Sequence, residues 1–214
     1  MAKLLKIQEP KITGELNRGT RIIELINNGD TIENVIIEDE LIEGIEDVVL
    51  MCDNCMFKNV DFDNCNFRRV DFTDVIFENC NFSNISFNDS SIYRTQFIGS
   101  KLTGVRINES TLKDVLFSGT LGKYSNFGFS KFKGVNFVDS NFENAVFQEI
   151  KNEKIAFDNT NLKKAIFTDT KLKGLDFTSC NTQEIQARVD DIRGAIFTVP
   201  QAIELTRLMG ILIK

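Results

Sequence analysis

Histidine is absent from the 214 residues, so the usual general base and the imidazole of a catalytic triad have nothing to act through. Few other residues could do chemistry. Cys52 and Cys55 form a C-x-x-C, half of a zinc or redox motif. A structural zinc site takes four Cys or His ligands, and the chain holds no second C-x-x-C. Ser110-Thr111-Leu112-Lys113 spells S-x-x-K, the letters of a serine nucleophile with its lysine. Asp190-Asp191 is a carboxylate pair of the kind found in turns, and no Gly-rich phosphate loop is present. Lys113, Lys131, Lys133, Lys151, Lys171 and Lys173 could together attract an anionic partner. The balance points to a non-enzymatic protein, with no catalytic, cofactor-binding or metal-binding residue and no cofactor.

The spacing of other residues explains where these candidates sit. Phenylalanine falls at 57, 62, 67, 72, 77, 82 and 87 without a slip. Helices repeat every 3.6 residues and strands every 2, so a sustained five is an internal repeat. We call these positions centres. Past Phe87 they continue as Ile92, Phe97, Leu102, Ile107, Leu112 and Phe117, then Phe127 to Phe147 and Phe157 to Phe177, broken only at Gly122 and Asn152. Leu112 is itself a centre, which assigns the S-x-x-K letters to the core. Two residues before each centre stands a small or β-branched residue. Cys55, Cys65, Cys80 and Cys180 take that slot and Cys52 takes a centre, as buried free cysteines that act as small apolar residues.

Two residues after the centre the chain prefers Asn, Asp or Gly: Asn59, Asn64, Asp74, Asn79, Gly99 and Asp114 are examples. These residues accept positive φ, so the chain can turn a corner every five residues. Four corners close a square of twenty residues. The check is a second period, and it holds: Phe57, Phe77, Phe97, Phe117, Phe137, Phe157, Phe177 and Phe197 form one column. These eight are the expected structural core, with each ring pointing inward. Outside that column, Met56, Ile76, Ile98, Leu116 and Val138 make an unusually apolar outer face, and the N-terminal segment or a partner is expected to cover it.

The ends differ from the repeat. Residues 1–31 are expected to form an N-terminal cap, with a short amphipathic helix over Gly14 to Ile26 and a turn at Asn27-Asn28-Gly29-Asp30. Residues 32–197 are the repeat. Residues 198–214 begin with Pro200 at the start of a helix, end it at Gly210, and finish in an apolar tail. Ala202, Leu205, Leu208, Met209, Ile211, Leu212 and Ile213 would cap the last coil or pair with a second copy. Net charge is −6, yet Asp30 to Asp53 alone carries nine acids and no base. No apolar run reaches the roughly 20 residues of a membrane span, and MAKLLKIQEPK lacks a signal-like apolar core. We expect a cytoplasmic protein with no membrane partner.

The motif resembles the pentapeptide repeat family, whose centre is Leu or Phe preceded two residues earlier by a small residue. The resemblance covers about Ile32 to Phe197. It implies an all-β solenoid, a right-handed quadrilateral parallel β-helix of about eight coils with an N-terminal cap and a short C-terminal helix. The end segment, Asp191-Ile192-Arg193-Gly194 followed by Gln201-Ala202 and Leu208-Met209-Gly210-Ile211, is similar to that of the quinolone-resistance pentapeptide proteins. That likeness implies a homodimer through the C-terminal module. Function is expected to be protein interaction by a scaffold of unassigned role. The alternative is a DNA-mimicking binder of DNA gyrase or topoisomerase IV conferring quinolone protection, with a type II topoisomerase as partner. Direct nucleic-acid binding has less support, because the lysines lack interleaved aromatic residues.

Overall fold

Positive φ at the corners sets the architecture. In the computed structural model, which describes residues 4–19 and 21–212, a residue of positive φ recurs two after almost every centre, from Asn54, Asn59 and Asn64 through Gly99, Gly104 and Asp114 to Glu184 and Gly194. Each such residue turns the chain through one corner of a square.

The strands are β1 (Asn17–Arg18), β2 (Ile32–Glu33), β3 (Val35–Glu38), β4 (Leu41–Glu43), β5 (Glu46–Lys58), β6 (Asp61–Asp63), β7 (Asn66–Glu78), β8 (Ser91–Ile98), β9 (Thr111–Ser118), β10 (Lys131–Val138) and β11 (Lys151–Asp158). All pairings are parallel. The main sheet runs β1-β3-β5-β7-β8-β9-β10-β11 with β2 on β5, and β4 pairs β6. The register is twenty residues, as in Phe77↔Phe97↔Phe117↔Phe137↔Phe157. This sheet covers two adjacent sides of the square. The other two sides are held by single bridges such as Asn81↔Lys101 and Ser86↔Arg106.

The stack makes about seven turns, one fewer than expected from length. Past Gln186 only the bridge Asp176↔Ile196 remains before the chain leaves for its terminal helix.

The Phe column is buried from Phe57 to Phe177, and its rings stack 4.8–5.7 Å apart. Phe197 ends the column, half-buried, 5.1 Å from Phe177.

The slot two before the centre holds hydrogen-bonding hydroxyls and thiols rather than mere filling. Ser100, Ser110, Thr120, Ser130 and Thr170 each donate to the carbonyl twenty-three residues earlier. Cys55, Cys65 and Cys80 donate S–H to Ile32, Ile42 and Phe57 in the same way. Burial pushes the Cys55 thiol up to about 11 and that of Cys80 to about 12, so both stay protonated and unreactive at neutral pH. The C-x-x-C pair is therefore core, with Cys52 fully enclosed.

The two irregular centres have different outcomes. Gly122 leaves a void that the Phe142 ring of the next coil enters, and a Cβ on Gly122 would stand 2.2 Å from that ring. Asn152 coincides with a register shift, where Lys133 pairs with Lys154 and Glu153 is displaced outward. A similar shift falls at Glu46 to Val48, where Asp47, a polar residue at a centre position, has φ 54°.

The N-terminal helix is shorter than expected. α1 spans Ile22–Asn28 only, because Arg21 adopts a left-handed φ of 58° and residues 17–18 pair with β3 instead. Gly29 at φ 72° ends it, as the Asn-Asn-Gly-Asp turn foretells. Ile22 and Ile26 bury against the first coil.

Candidate interaction surfaces

Three surfaces face outward from this rod. The first is the C-terminal end. Thr198 caps α2 (Val199–Leu205) in a capping box with Gln201, and a 3-10 turn follows over Thr206–Met209. Gln201 anchors the helix by donating from Nε2 to the carbonyls of Phe177 and Cys180, at 2.9 and 2.8 Å. Leu205 is buried and Leu208 half-buried against the last coil. The opposite side is bare. Ala202, Met209, Ile211 and Leu212 are exposed, and Val199 and Ile203 join them at 75% and 50% exposure. Ile213 lies outside the described residues. The apolar residues of this segment thus divide into a capping set and an outward set. Val199 and Ile203, one helical turn apart, complete the outward set; their i, i+4 spacing in the sequence is the signal for them.

The second surface is the lysine stripe. Lys113, Lys151, Lys171 and Lys173 are exposed, with Lys131 and Lys133 half-buried. The stripe is partly neutralised. Glu153, displaced outward by the register shift, takes Lys131 at 2.9 Å and Lys133 at 4.0 Å, and Asp191 takes Lys171 at 3.3 Å. Lys113 and Arg94 both lie against the Tyr93 ring, 4.5 and 3.9 Å from its centroid. The Glu153 pairs lie in solvent, where screening leaves them little weight, whereas the Asp191 carboxylate is buried.

The third is the apolar face, and the chain's own N-terminal segment covers it. Residues 4–16 run along the rod as an extended strap, with Leu5, Ile7, Pro10, Ile12 and Leu16 half-buried between exposed polar neighbours. Met56, Ile76, Ile98, Leu116 and Val138 of this face are all half-buried. Side chains, not a sheet edge, hold the strap. Asn136 accepts the Leu5 N–H at 3.1 Å and donates to the Leu5 carbonyl at 2.9 Å. Asp114 accepts the Gln8 N–H at 3.2 Å and Asp74 the Lys11 N–H at 2.7 Å. Asn54 accepts the Thr13 N–H at 2.9 Å and donates to its carbonyl at 3.0 Å. Amides at the two ends thus bracket the backbone of one residue each, taking its N–H and its carbonyl, while carboxylates in the middle can only accept. Arg94 binds Asp74 through its guanidinium, and that contact holds the Asp74 carboxyl below the usual carboxylate range. Asn54, Asp74 and Asp114 are corner residues of the repeat, and nothing local marks their second role as clamps, because their partners lie 41 to 106 residues away, and that of Asn136 131 residues away.

Among the described residues no three His, Cys, Asp or Glu side chains are grouped to hold a metal ion, and no helix is long and apolar enough to cross a membrane.

A square, parallel solenoid built on a five-residue period defines the class of protein. Residues 70–145 match the family model described as pentapeptide repeat region, so that stretch of the chain is a run of pentapeptide repeats. A second model, described as the SV2A/B/C luminal domain, matches residues 108–186. Among solved structures, the chain is similar to QnrB1, a plasmid-mediated fluoroquinolone resistance protein, at 15% identity and a TM-score of 0.46, covering 86% of this chain and 99% of that one. It is also similar to HetL, a pentapeptide repeat protein involved in heterocyst differentiation regulation from the cyanobacterium Nostoc, at 13% identity and a TM-score of 0.33, covering 78% and 89%. A thylakoid-lumen pentapeptide repeat protein of Arabidopsis thaliana matches at 20% identity and a TM-score of 0.30, covering 55% and 68%. No curated protein sequence matches the chain.

Proposed function

We propose that this protein is a non-enzymatic interaction scaffold that works as a homodimer joined through its C-terminal end. The outward apolar set on that end carries the reading. Val199, Ile203, Met209, Ile211 and Leu212 lie exposed within a segment of fourteen residues, a concentration of apolar surface that marks interaction sites. A two-fold pairing would set the same patch on each copy against its counterpart. The five unpaired cysteines suit a reducing compartment such as the cytoplasm.

Light scattering on the purified chain should give twice the 24.3 kDa chain mass. Ile203→Asp should return the monomer without loss of fold, since Ile203 faces away from the last coil. A wild-type monomer at micromolar concentration would rule the reading out.

The acidity of the first coils favours a second reading, a DNA-mimicking binder of gyrase or topoisomerase IV. Glu40, Glu43, Glu46, Asp47, Asp53, Asp61 and Asp63 are all exposed there. Beyond this end the lysine stripe reverses the sign. On this reading, micromolar protein alters gyrase supercoiling, with or without a quinolone. Unchanged supercoiling under both conditions removes it.

A further inference from the structure

We infer that the side of the rod carrying the lysine stripe docks face to face on the same side of a second copy, with the two rods antiparallel. This contact is separate from the C-terminal pairing and does not need it.

One row of outward residues carries the inference. Successive strands bring Glu33, Asp53, Thr73, Tyr93, Lys113 and Lys133 into register, each beside the next. The register shift then puts Lys154, not Glu153, next in line. Along the rod this row is acidic at Glu33 and Asp53, neutral at Thr73 and Tyr93, and basic from Lys113 onward. The adjacent row, Met51, Asp71, Ser91, Thr111, Lys131 and Lys151, changes sign in the same direction. A side that is acidic toward one end and basic toward the other complements an inverted copy of itself.

Symmetry fixes the register. Two copies related by a two-fold axis meet face to face only if that axis lies in the plane between them. An axis parallel to the strands, through the coil of Tyr93, inverts the rod and sets each residue opposite the one equally far on the other side. Lys133 then faces Asp53 and Lys154 faces Glu33, and the symmetry makes each pairing twice. Ser91 and Tyr93 face their own counterparts, Lys113 faces Thr73, and no like charges of the two rows are opposed. An axis along the rod would instead set Lys133 against Lys131 and Lys154 against Lys151.

The charges are free to pair. Glu33, Asp53, Lys113 and Lys154 are exposed, and among the described residues none of the four makes an ion pair. Lys133 meets Glu153 only at 4.0 Å, whereas Asp71 is already held by Arg69 at 3.0 Å. The contact is small. Six strand spacings span about 29 Å and three strand residues about 10 Å, a footprint of about 300 Å² per copy. A stable complex buries about 800 Å² per partner, so this docking is weak and sensitive to salt.

Cross-linking captures a weak contact and reads this face alone. The five native cysteines are buried, so a thiol placed on the surface reacts selectively. In the Ile203→Asp chain, made to remove C-terminal pairing, Ser91→Cys should be joined to a second copy by a short bismaleimide at submillimolar protein. The linkage should be at least about tenfold faster at about 50 mM salt than at about 0.5 M. Thr31→Cys, about 29 Å from its counterpart in this register, should not be joined. Lys133→Glu with Lys154→Glu should slow the Ser91→Cys linkage at least about tenfold, and so should Glu33→Lys with Asp53→Lys. Mixing those two chains, each carrying Ser91→Cys, should restore it, because each then fits the other. If Ile203→Asp fails to fold, Ser91→Cys and Thr31→Cys in the otherwise native chain give the same reading. A wild-type chain that is monomeric at high salt would remove the C-terminal pairing and leave these expectations standing. Linkage of Ser91→Cys no faster than that of Thr31→Cys, or indifferent to salt or to either charge reversal, overturns the inference.

Discussion

Phe137→Ala should lower the stability of the rod by about 3–5 kcal/mol, read as a fall in the midpoint of urea denaturation at unchanged slope. The ring is fully buried and stacks between Phe117 at 4.8 Å and Phe157 at 4.9 Å. It also meets Phe142 edge-on at 4.8 Å. Alanine there removes a ring that neighbours cannot replace, since each is fixed by its own coil at a set height. Aromatic pairs contribute about 0.5–1.5 kcal/mol beyond area burial, which places this position toward the upper part of the range. Phe197→Ala should cost far less, because that ring is half-buried with a single stacked neighbour below it. Equal losses at the two positions would contradict an inward ladder that ends at Phe197.

Gly122→Leu restores the repeat on paper and should nonetheless destabilise the protein, by about 1–3 kcal/mol. The glycine has no positive φ, so its role is not conformational. It yields space. The Phe142 ring occupies the centre that a larger residue would fill, and even a Cβ would come within 2.9 Å of three of its ring atoms. Gly122→Leu combined with Phe142→Leu should be less damaging than the two changes summed, because the second makes room for the first. Strict additivity in chemical denaturation would show that Phe142 does not fill the vacancy.

How much of this could be read beforehand varies with the distance over which the cause acts. The five- and twenty-residue periods were legible because side-chain volume at the centre and positive φ at the corner each leave a mark on residue type. The corner rule still fails at Arg94, Tyr124 and Phe129, which hold φ of 43°, 60° and 62°. There the coils above and below dictate the backbone, and local preference yields to the stack. The slot two before the centre was read as space-filling, yet Ser100, Thr120 and Cys80 use it to bond the coil beneath. A small volume satisfies both readings, so composition cannot separate them. The helix expected over Gly14 to Ile26 is cut to Ile22–Asn28 because residues 17–18 pair with β3 and Arg21 takes a left-handed φ, which leaves Leu16 ahead of β1 and outside the helix. Of the surfaces, the apolar end was visible as a run of residue types. The split between Leu205 and Ile203 was not, since it depends on which side of α2 meets the last coil. The strap clamps were hidden altogether, because an Asn at 136 and a Leu at 5 have no local pattern in common.

That separation has a consequence for how the protein is made. Coils in such a stack touch only their neighbours and can close one after another as the chain leaves the ribosome. The strap cannot follow that order. Leu5 emerges ahead of the rod, but Asn136, the residue that holds it, follows 131 residues later. Throughout that interval the apolar side of the strap and the face it will cover are both unattended. The strap therefore seats late, as a seam drawn across coils already in place, fastened only after the coils that hold it have closed.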